Sequence, residues 1–333
     1  AWMFVEAYPL GTLGTKEKGF QGEMYFTSPN PPVGAVFTYY FKENVQTLKE
    51  KREKAEKDAF KEGKPIVYPT YEEMRAEEEE ETPYLLFSIT DDEGNEVRQL
   101  RAPAKAGLHR IVWDFCYPGT RPTSPQEEIP TKTGPSGIPV MPGTYQVALA
   151  KSVGGIVTRL IEPVKFKAEI LGLASLPAEN RTDLTAFQKK VTDLSRRVNA
   201  ASSLVRDLRE KARHFRAALK SLGKPDDALF ADIKTMEQKI GDMERQLFGD
   251  RTWEKIDQQA EPGLVRRING VVYDHRRSTS APTQSQRDAF DLVAEAFPPV
   301  LEALRAVAEE DVKKIEERLD ELGAPATPGR IPR

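Results

Sequence analysis

The sequence predicts an α+β, multidomain chain. An N-terminal antiparallel β-sandwich with a charged helical insertion is followed by a C-terminal antiparallel helical bundle of long heptad-patterned helices. Three observations predict it. Every strand-like segment lies before about residue 170 and every long helical pattern lies after it. Gly107 to Ala150 supplies two strands of one sheet-built core: Val112, Trp113 and Phe115 sit in a β-branched and aromatic run, and Tyr145, Val147 and Leu149 alternate with Thr144, Gln146 and Ala148. That period of two turns one face inward. From residue 177 apolar residues recur at three and four, the spacing of a helical seam.

Taken in order, residues 1–33 hold two aromatic patches, Trp2 to Tyr8 and Phe20 to Phe26, and end in Asn30-Pro31-Pro32, which forbids helix. They read as an extended segment leading from whatever precedes them. The β-module spans 34–172. Gly34 to Phe41 is its first strand, with Phe37, Tyr39 and Phe41 on one face and Val36, Thr38 and Tyr40 on the other. A charged insertion occupies about 43–81. Glu43 to Glu62 alternates Glu and Lys around few apolar residues, which predicts a solvent-exposed helix closed by Gly63. Tyr71 to Glu81 is a second acidic helix or loop, ending in five consecutive glutamates; a solvated face is the first reading and a cation or basic-partner site the alternative. Strands resume at 83–90; Asp91 to Asn95 is a hairpin turn, and the next strand follows it. The last strand or two fall within 156–170, giving about six to eight in hairpin-rich order.

The helical module spans 177–322. Its first seam is Leu184, Phe187, Val191, Leu194, Val198, Ala201, Val205, Leu208, Ala212, Phe215, Leu219 and Leu222, with Asn180, Thr182 or Asp183 as the cap and Gly223-Lys224-Pro225 as the stop. A second seam, Leu229, Ile233, Met236, Ile240, Met243 and Leu247, returns antiparallel. Trp253 is placed to plug one end of the bundle, and Leu264, Ile268 and Val271 or Val272 mark a shorter helix. Thr283 with Gln286 forms a capping box opening a last long helix. Its seam passes through Leu304, Ala308 and Val312, where the spacing stutters, and Pro298-Pro299 is expected to kink or break it. Three or four helices result. Residues 323–333, with three prolines, read as a flexible tail.

Composition narrows function. Forty-nine Lys+Arg against 52 Asp+Glu leave a net charge of −3, so no global field draws the chain to nucleic acid or anionic lipid. No apolar run reaches the roughly 20 residues of a membrane helix. Cys116 is the only cysteine, so no internal disulfide forms. The chain opens Ala1-Trp2-Met3 without an initiator Met, as a fragment of a longer protein does.

No reaction constellation emerges. His109, His214 and His275 are scattered without zinc-ligand spacing, no phosphate loop or nucleophile elbow is present, and the many carboxylates single out no acid–base pair. No catalytic residue, metal ligand or cofactor site is assigned. Asp114 is the best single acid of the β-module, though an Asp after a strand more often ties down a loop. Arg206, Arg209, Arg213 and Arg216 lie along one helix with Asp207 and Glu210 interleaved, a solvated face rather than a nucleic-acid stripe. Trp113, Tyr117, Tyr39 and Tyr40, with Tyr145, are the possible platform for stacking a sugar ring.

Three segments together carry a resemblance: NPPVGAVFTYYF at 30–41, GLHRIVWDF followed by PGTYQVALA, and the long helices with SAPTQSQRDAF at 280–290. The chain resembles the C-terminal region of large secreted bacterial proteins whose N-terminal part is a sortilin-like, Asp-box (BNR-type) β-propeller, often labelled glycosyl-hydrolase-like. The resemblance implies an Ig-like β-sandwich, a helical region behind it and an exported protein. Its propeller would carry any catalytic or sugar-binding residues, and no Asp-box repeat occurs in this sequence. The expected role is a non-catalytic accessory region. It would pack on its own propeller and present the helical bundle to a protein partner or a second copy. The alternative is a carbohydrate-binding module that takes a glycan.

Overall fold

The computed structural model describes residues 34–122, 136–170, 172, 176–223, 226–275 and 278–331. The expected extended segment at 1–33 lies outside them. The chain is α+β: the antiparallel sheets and two helices lie before residue 170, the described elements after it are all helical, and the chain divides into two compact units.

In the β unit, β1 (Ala35–Phe41) pairs antiparallel with β4 (Gly107–Trp113), Ala35 opposite Trp113 and Phe41 opposite Gly107. The larger sheet centres on β2 (Tyr84–Asp91) and β7 (Gly143–Val153), which pair with each other. Outside β2 lies β3 (Glu96–Pro103). Outside β7 lie β8 (Ile156–Arg159) along its second half and β9 (Val164–Ala168) along its first. Short β5 (Cys116–Pro118) and β6 (Ser136–Pro139) form a separate ladder. The two strands of the Gly107–Ala150 stretch therefore belong to different sheets. Their inward rows nonetheless meet: Trp113 lies 5.3 Å from Tyr145, and Phe37 of β1 lies 5.4 Å from Phe166 of β9 and 6.5 Å from Phe87 of β2. Alternation drives this, because Ala35, Phe37 and Phe41 are buried while Tyr40 points outward. Gly34 is required where β1 meets β4. It has φ 134°, and a Cβ there would lie 2.0 Å from the Trp113 carbonyl.

The insertion forms two helices, α1 (Leu48–Lys61) and α2 (Tyr71–Glu79), neither with a buried residue. The helical unit follows with α3 (Arg181–Lys220), α4 (Asp227–Phe248), α5 (Leu264–His275), α6 (Gln284–Ala306) and α7 (Val312–Glu321). Asn180 is the cap of α3, its side chain accepting from the Thr182 and Asp183 amides. The apolar rows of all five helices share one core, from Phe187 and Val205 on α3 to Ile240 on α4, Ile268 on α5, Phe297 on α6 and Ile315 on α7.

For this unit three expectations are corrected and one, the stutter, is refined. Pro298 and Pro299 do not break α6, which runs through both. The prolines are exposed, so the carbonyls they leave unbonded can reach water, while Phe297 and Val300 hold the turn in the core. The stutter is a π turn at Val307–Asp311, and Val307 rather than Ala308 is the fully buried residue. Eight residues separate Leu304 from Val312 where a heptad has seven, and the wider turn absorbs the extra one. Trp253 plugs nothing; it is half exposed in a short 3₁₀ turn. The described part of the tail is tied down. The Ala324 amide donates to the Leu319 carbonyl and Gly323, at φ 64°, closes α7 in a Schellman turn. The Arg330 side chain then folds back to Asp320 at 3.2 Å and donates to the Ala324 and Pro325 carbonyls.

Candidate functional site

The aromatic platform is not assembled as a platform. Trp113 is 0% exposed, its ring against Phe115, Tyr145 and Phe166 and its indole N–H donated to the Cys116 carbonyl at 3.1 Å. No sugar ring can reach it, and the strand alternation that put it inward is the reason. Tyr145 is also buried, its hydroxyl donating to the Met141 carbonyl; burial pushes that phenol well above its ordinary range. Tyr39 faces the core beside Phe87 and His109, whereas Tyr40 is 70% exposed on the opposite face, paired with exposed Leu108 across the ladder. Tyr117 is partly buried against the same core. Of the four stacking candidates only Tyr40 stands free in solvent. Asp114 ties down its own turn, its carboxylate accepting from the Cys116 amide at 3.1 Å while Phe115 takes a positive φ of 56°.

Three of the four arginines in the α3 row are engaged across the helix interface, while Arg213 is exposed. Arg209 forks onto Glu244 and Arg216 onto Glu237, both carboxylates on α4, while Arg206 lies 5.4 Å over the Phe248 ring. Among the described residues no group of three or more His, Cys, Asp or Glu side chains is placed to hold a metal ion, and no helix is long and apolar enough to cross a membrane.

One histidine is unusual. His275 ends α5 at the seam position after Leu264, Ile268 and Val271, and is buried. Its Nε2 lies 2.9 Å from Gln286 Oε1, the same oxygen that accepts from the Thr283 amide in the capping box of α6. Gln286 Oε1 can only accept, so Nε2 carries the proton and donates. Nδ1 is then a bare lone pair, buried and without a partner among the described residues. Burial lowers the imidazole pKa, and the Arg287 cation opposes protonation further while Asp274 favours it. Around it Gln188 of α3 donates to the His275 carbonyl at 3.3 Å, and Ser195 and Asn199 of α3 hydrogen-bond Asn269 of α5. This polar seam fixes how α5 lies on α3. With His275 buried and its hydrogen bonds spent on holding one helix against another, the seam reads as architecture.

The surface that is built and left uncovered is the insertion. Thr47 and Thr70 each open a helix with a complete capping box, to Glu50 and Glu73. Arg52 of α1 forks onto Glu77 of α2 at 2.6 and 2.9 Å, and Glu80 accepts from the Leu48 amide at 2.6 Å. These bonds join the start of α1 to the end of α2, so the two helices form an antiparallel hairpin clasped at its base. The guanidinium holds the Glu77 carboxyl below its ordinary value. Glu43 pairs with Lys151 on β7 and the Val45 amide donates to the Ala104 carbonyl, which anchors that base on the β unit. The distal end is apolar. Phe60 at the end of α1, Ile66, Val67 and Tyr68 in the connection, and Tyr71 and Met74 at the start of α2 are all exposed, Val67 and Tyr68 by 83% and 87%. Sequence reasoning read this segment as a charged, solvated insertion with few apolar residues, Phe60 among them. The missed signal is six large apolar residues within fifteen positions that have no seam to bury them. Chemically the hairpin can bind but offers no nucleophile or acid–base pair in a cleft. No family model, curated protein or solved structure matches the chain.

Proposed function

We propose that the chain is a non-catalytic interaction region, and that the α1–α2 hairpin is the element it presents. The β unit in this reading is an Ig-like sandwich serving as a mount, and the helices that follow it in the sequence are a heptad-based bundle. In this reading both belong to an exported protein with a propeller of its own, which only the resemblance of the three sequence segments to the C-terminal region of sortilin-like propeller proteins supports. The observation that carries the reading is the hairpin tip. Two helices that bury nothing are nevertheless capped, clasped and anchored, and the residues they raise into solvent are aromatic and aliphatic. Exposed apolar groups on a preorganised support cost solubility and are retained where a partner covers them. The bundle supports the same assignment from the other side. Its seams close on one another within one chain, so they need no second copy. The carbohydrate-binding alternative is weakened by the burial of Trp113 and Tyr145.

Site-specific photo-cross-linking tests this. A photoreactive residue at Tyr68, in the protein made in its own cells, is expected to give a discrete adduct of higher mass, and the same residue at Glu93 in the β2–β3 turn is expected to give none. Equal labelling from both positions, or no adduct from position 68, would sink the assignment.

A further inference from the structure

The hairpin tip also has a charge pattern, and the pattern selects a partner. Between Tyr71 and Glu81 stand seven glutamates and one arginine. Four of the carboxylates are engaged within the hairpin: Glu73 in the capping box, Glu77 with Arg52, Glu79 with Arg75 and Glu80 with the Leu48 amide. Glu72, Glu78 and Glu81 make no hydrogen bond or ion pair among the described residues, and all three are exposed. Tyr71, Met74 and Glu78 follow one another at three and four, so one face of α2 runs from an apolar end at the tip to a free carboxylate nearer the base. Ile66, Val67 and Tyr68 continue the apolar end beyond the helix, and Phe60 closes it from α1.

We propose that this face docks a basic amphipathic helix of a protein partner. Its apolar ridge would lie on Phe60, Tyr68, Tyr71 and Met74, and its Lys or Arg side chains would reach Glu78 on that face and Glu72 at its flank, about 100° round the helix from Tyr71, while Arg75 on the same face is neutralised by Glu79. The proposal rests on the interaction reading given above and adds the chemistry of the occupant. An apolar ridge in an apolar seat supplies affinity, and opposite charge beside it supplies register and rate. The same charges argue against the other occupants. A second copy docked through the same face of α2 would set glutamates against glutamates, and an anionic bilayer would meet a helix carrying five glutamates and one arginine.

Fluorescence anisotropy on the full chain tests it, with a labelled 18-residue amphipathic helix of leucine and lysine as the probe and the same helix with glutamate for lysine as the control. The lysine peptide is expected to bind and the glutamate peptide not to. Tyr68→Ser with Tyr71→Ser, and separately Glu72→Gln with Glu78→Gln, should each weaken binding by about tenfold, a loss of roughly 1.4 kcal/mol. The glutamine pair should in addition flatten the salt dependence. All four side chains are exposed, so the folded state is expected to survive, and an unchanged circular dichroism spectrum checks this. Four outcomes overturn the proposal: equal binding of both peptides, affinity that neither double variant alters, self-association in sedimentation that the Tyr variants abolish, or Tyr-dependent binding to phosphatidylcholine–phosphatidylglycerol vesicles. If the peptides fail while the cross-link at position 68 stands, the surface is right and the partner chemistry wrong. If the cross-link fails as well, the interaction reading falls with it.

Discussion

Helix α3 and the α1–α2 hairpin are both rich in Lys, Arg and Glu, and both begin with a well-made cap, yet one is the axis of a core and the other buries nothing. The difference lies in the spacing of the apolar residues. In α3 they fall at three and four for forty residues, so a continuous stripe faces α4, α5, α6 and α7. In α1 and α2 they are sparse, Leu48 at the base and the rest toward the tip, so no stripe exists to drive packing. The hairpin is held instead by hydrogen bonds between its ends, a design that fixes geometry while leaving the apolar groups exposed. Capping and charge pairs define a helix; burial decides whether it is scaffold or surface.

The largest effect should come from the scaffold side of this comparison. Phe215 is fully buried on α3, and Phe215→Ala is expected to cost about 3–5 kcal/mol, read by chemical denaturation of the helical unit. A loss below about 1 kcal/mol would mean that the shared core is looser than its burial implies.

A second test sharpens the contrast through pH. His275 is neutral in the fold and its imidazole binds a proton less readily than the ordinary value of 6.5. The unfolded chain therefore takes up the proton first. Stability from this group is intact above pH 6.5, falls as pH drops below it, and stops falling once the folded form is protonated too. Protonation places an N–H on Nδ1 where no acceptor stands among the described residues. Thermal unfolding of the helical unit should drop between pH 7 and 5, and His275→Gln should flatten that slope. An unchanged slope in the variant would assign the pH response to other groups.

How much of this was legible in the sequence follows from the range of the forces involved. The α3 and α4 seams could be read residue by residue, because helical periodicity is local. His275 falls four residues after Val271, but beside Arg276-Arg277-Ser278 it reads as a loop edge, and a single histidine carries no sign of its burial, its tautomer or its orphan nitrogen. That β4 pairs with β1 and β7 with β2 could not be read, since strand partners are fixed by distant parts of the chain. The π turn was visible as a stutter, though whether Val307 or Ala308 would face inward depended on how the extra residue was absorbed. The Arg330 latch was hidden because prolines and glycines near an end look the same whether or not a side chain folds back. The hairpin tip was the hardest of all. Exposure of Tyr68 and Tyr71 is a statement about what does not lie opposite them, and no local pattern encodes that.

Local stability separates the regions again. Thr70→Ala removes the hydroxyl that accepts from the Glu73 amide and leaves one of the first α2 amides without its partner. The expected cost is about 0.5–2 kcal/mol, confined to α2, so its amide hydrogens should exchange faster while the unfolding midpoint of the whole chain stays put. A shift of that midpoint would mean that α2 is part of the cooperative fold.

The smallest effect on stability carries the most functional information. Phe60→Ala changes the same residue type as Phe215→Ala, but its ring is 75% exposed at the hairpin tip. Surface substitutions of this kind stay within about 0.5 kcal/mol, so denaturation curves of the variant and the parent should superimpose. Adduct formation from a photoreactive residue at position 68 should nevertheless fall, because the aromatic wall beside it is gone. A phenylalanine whose loss the fold does not feel, and whose loss the adduct does, can only have been kept in solvent for a partner.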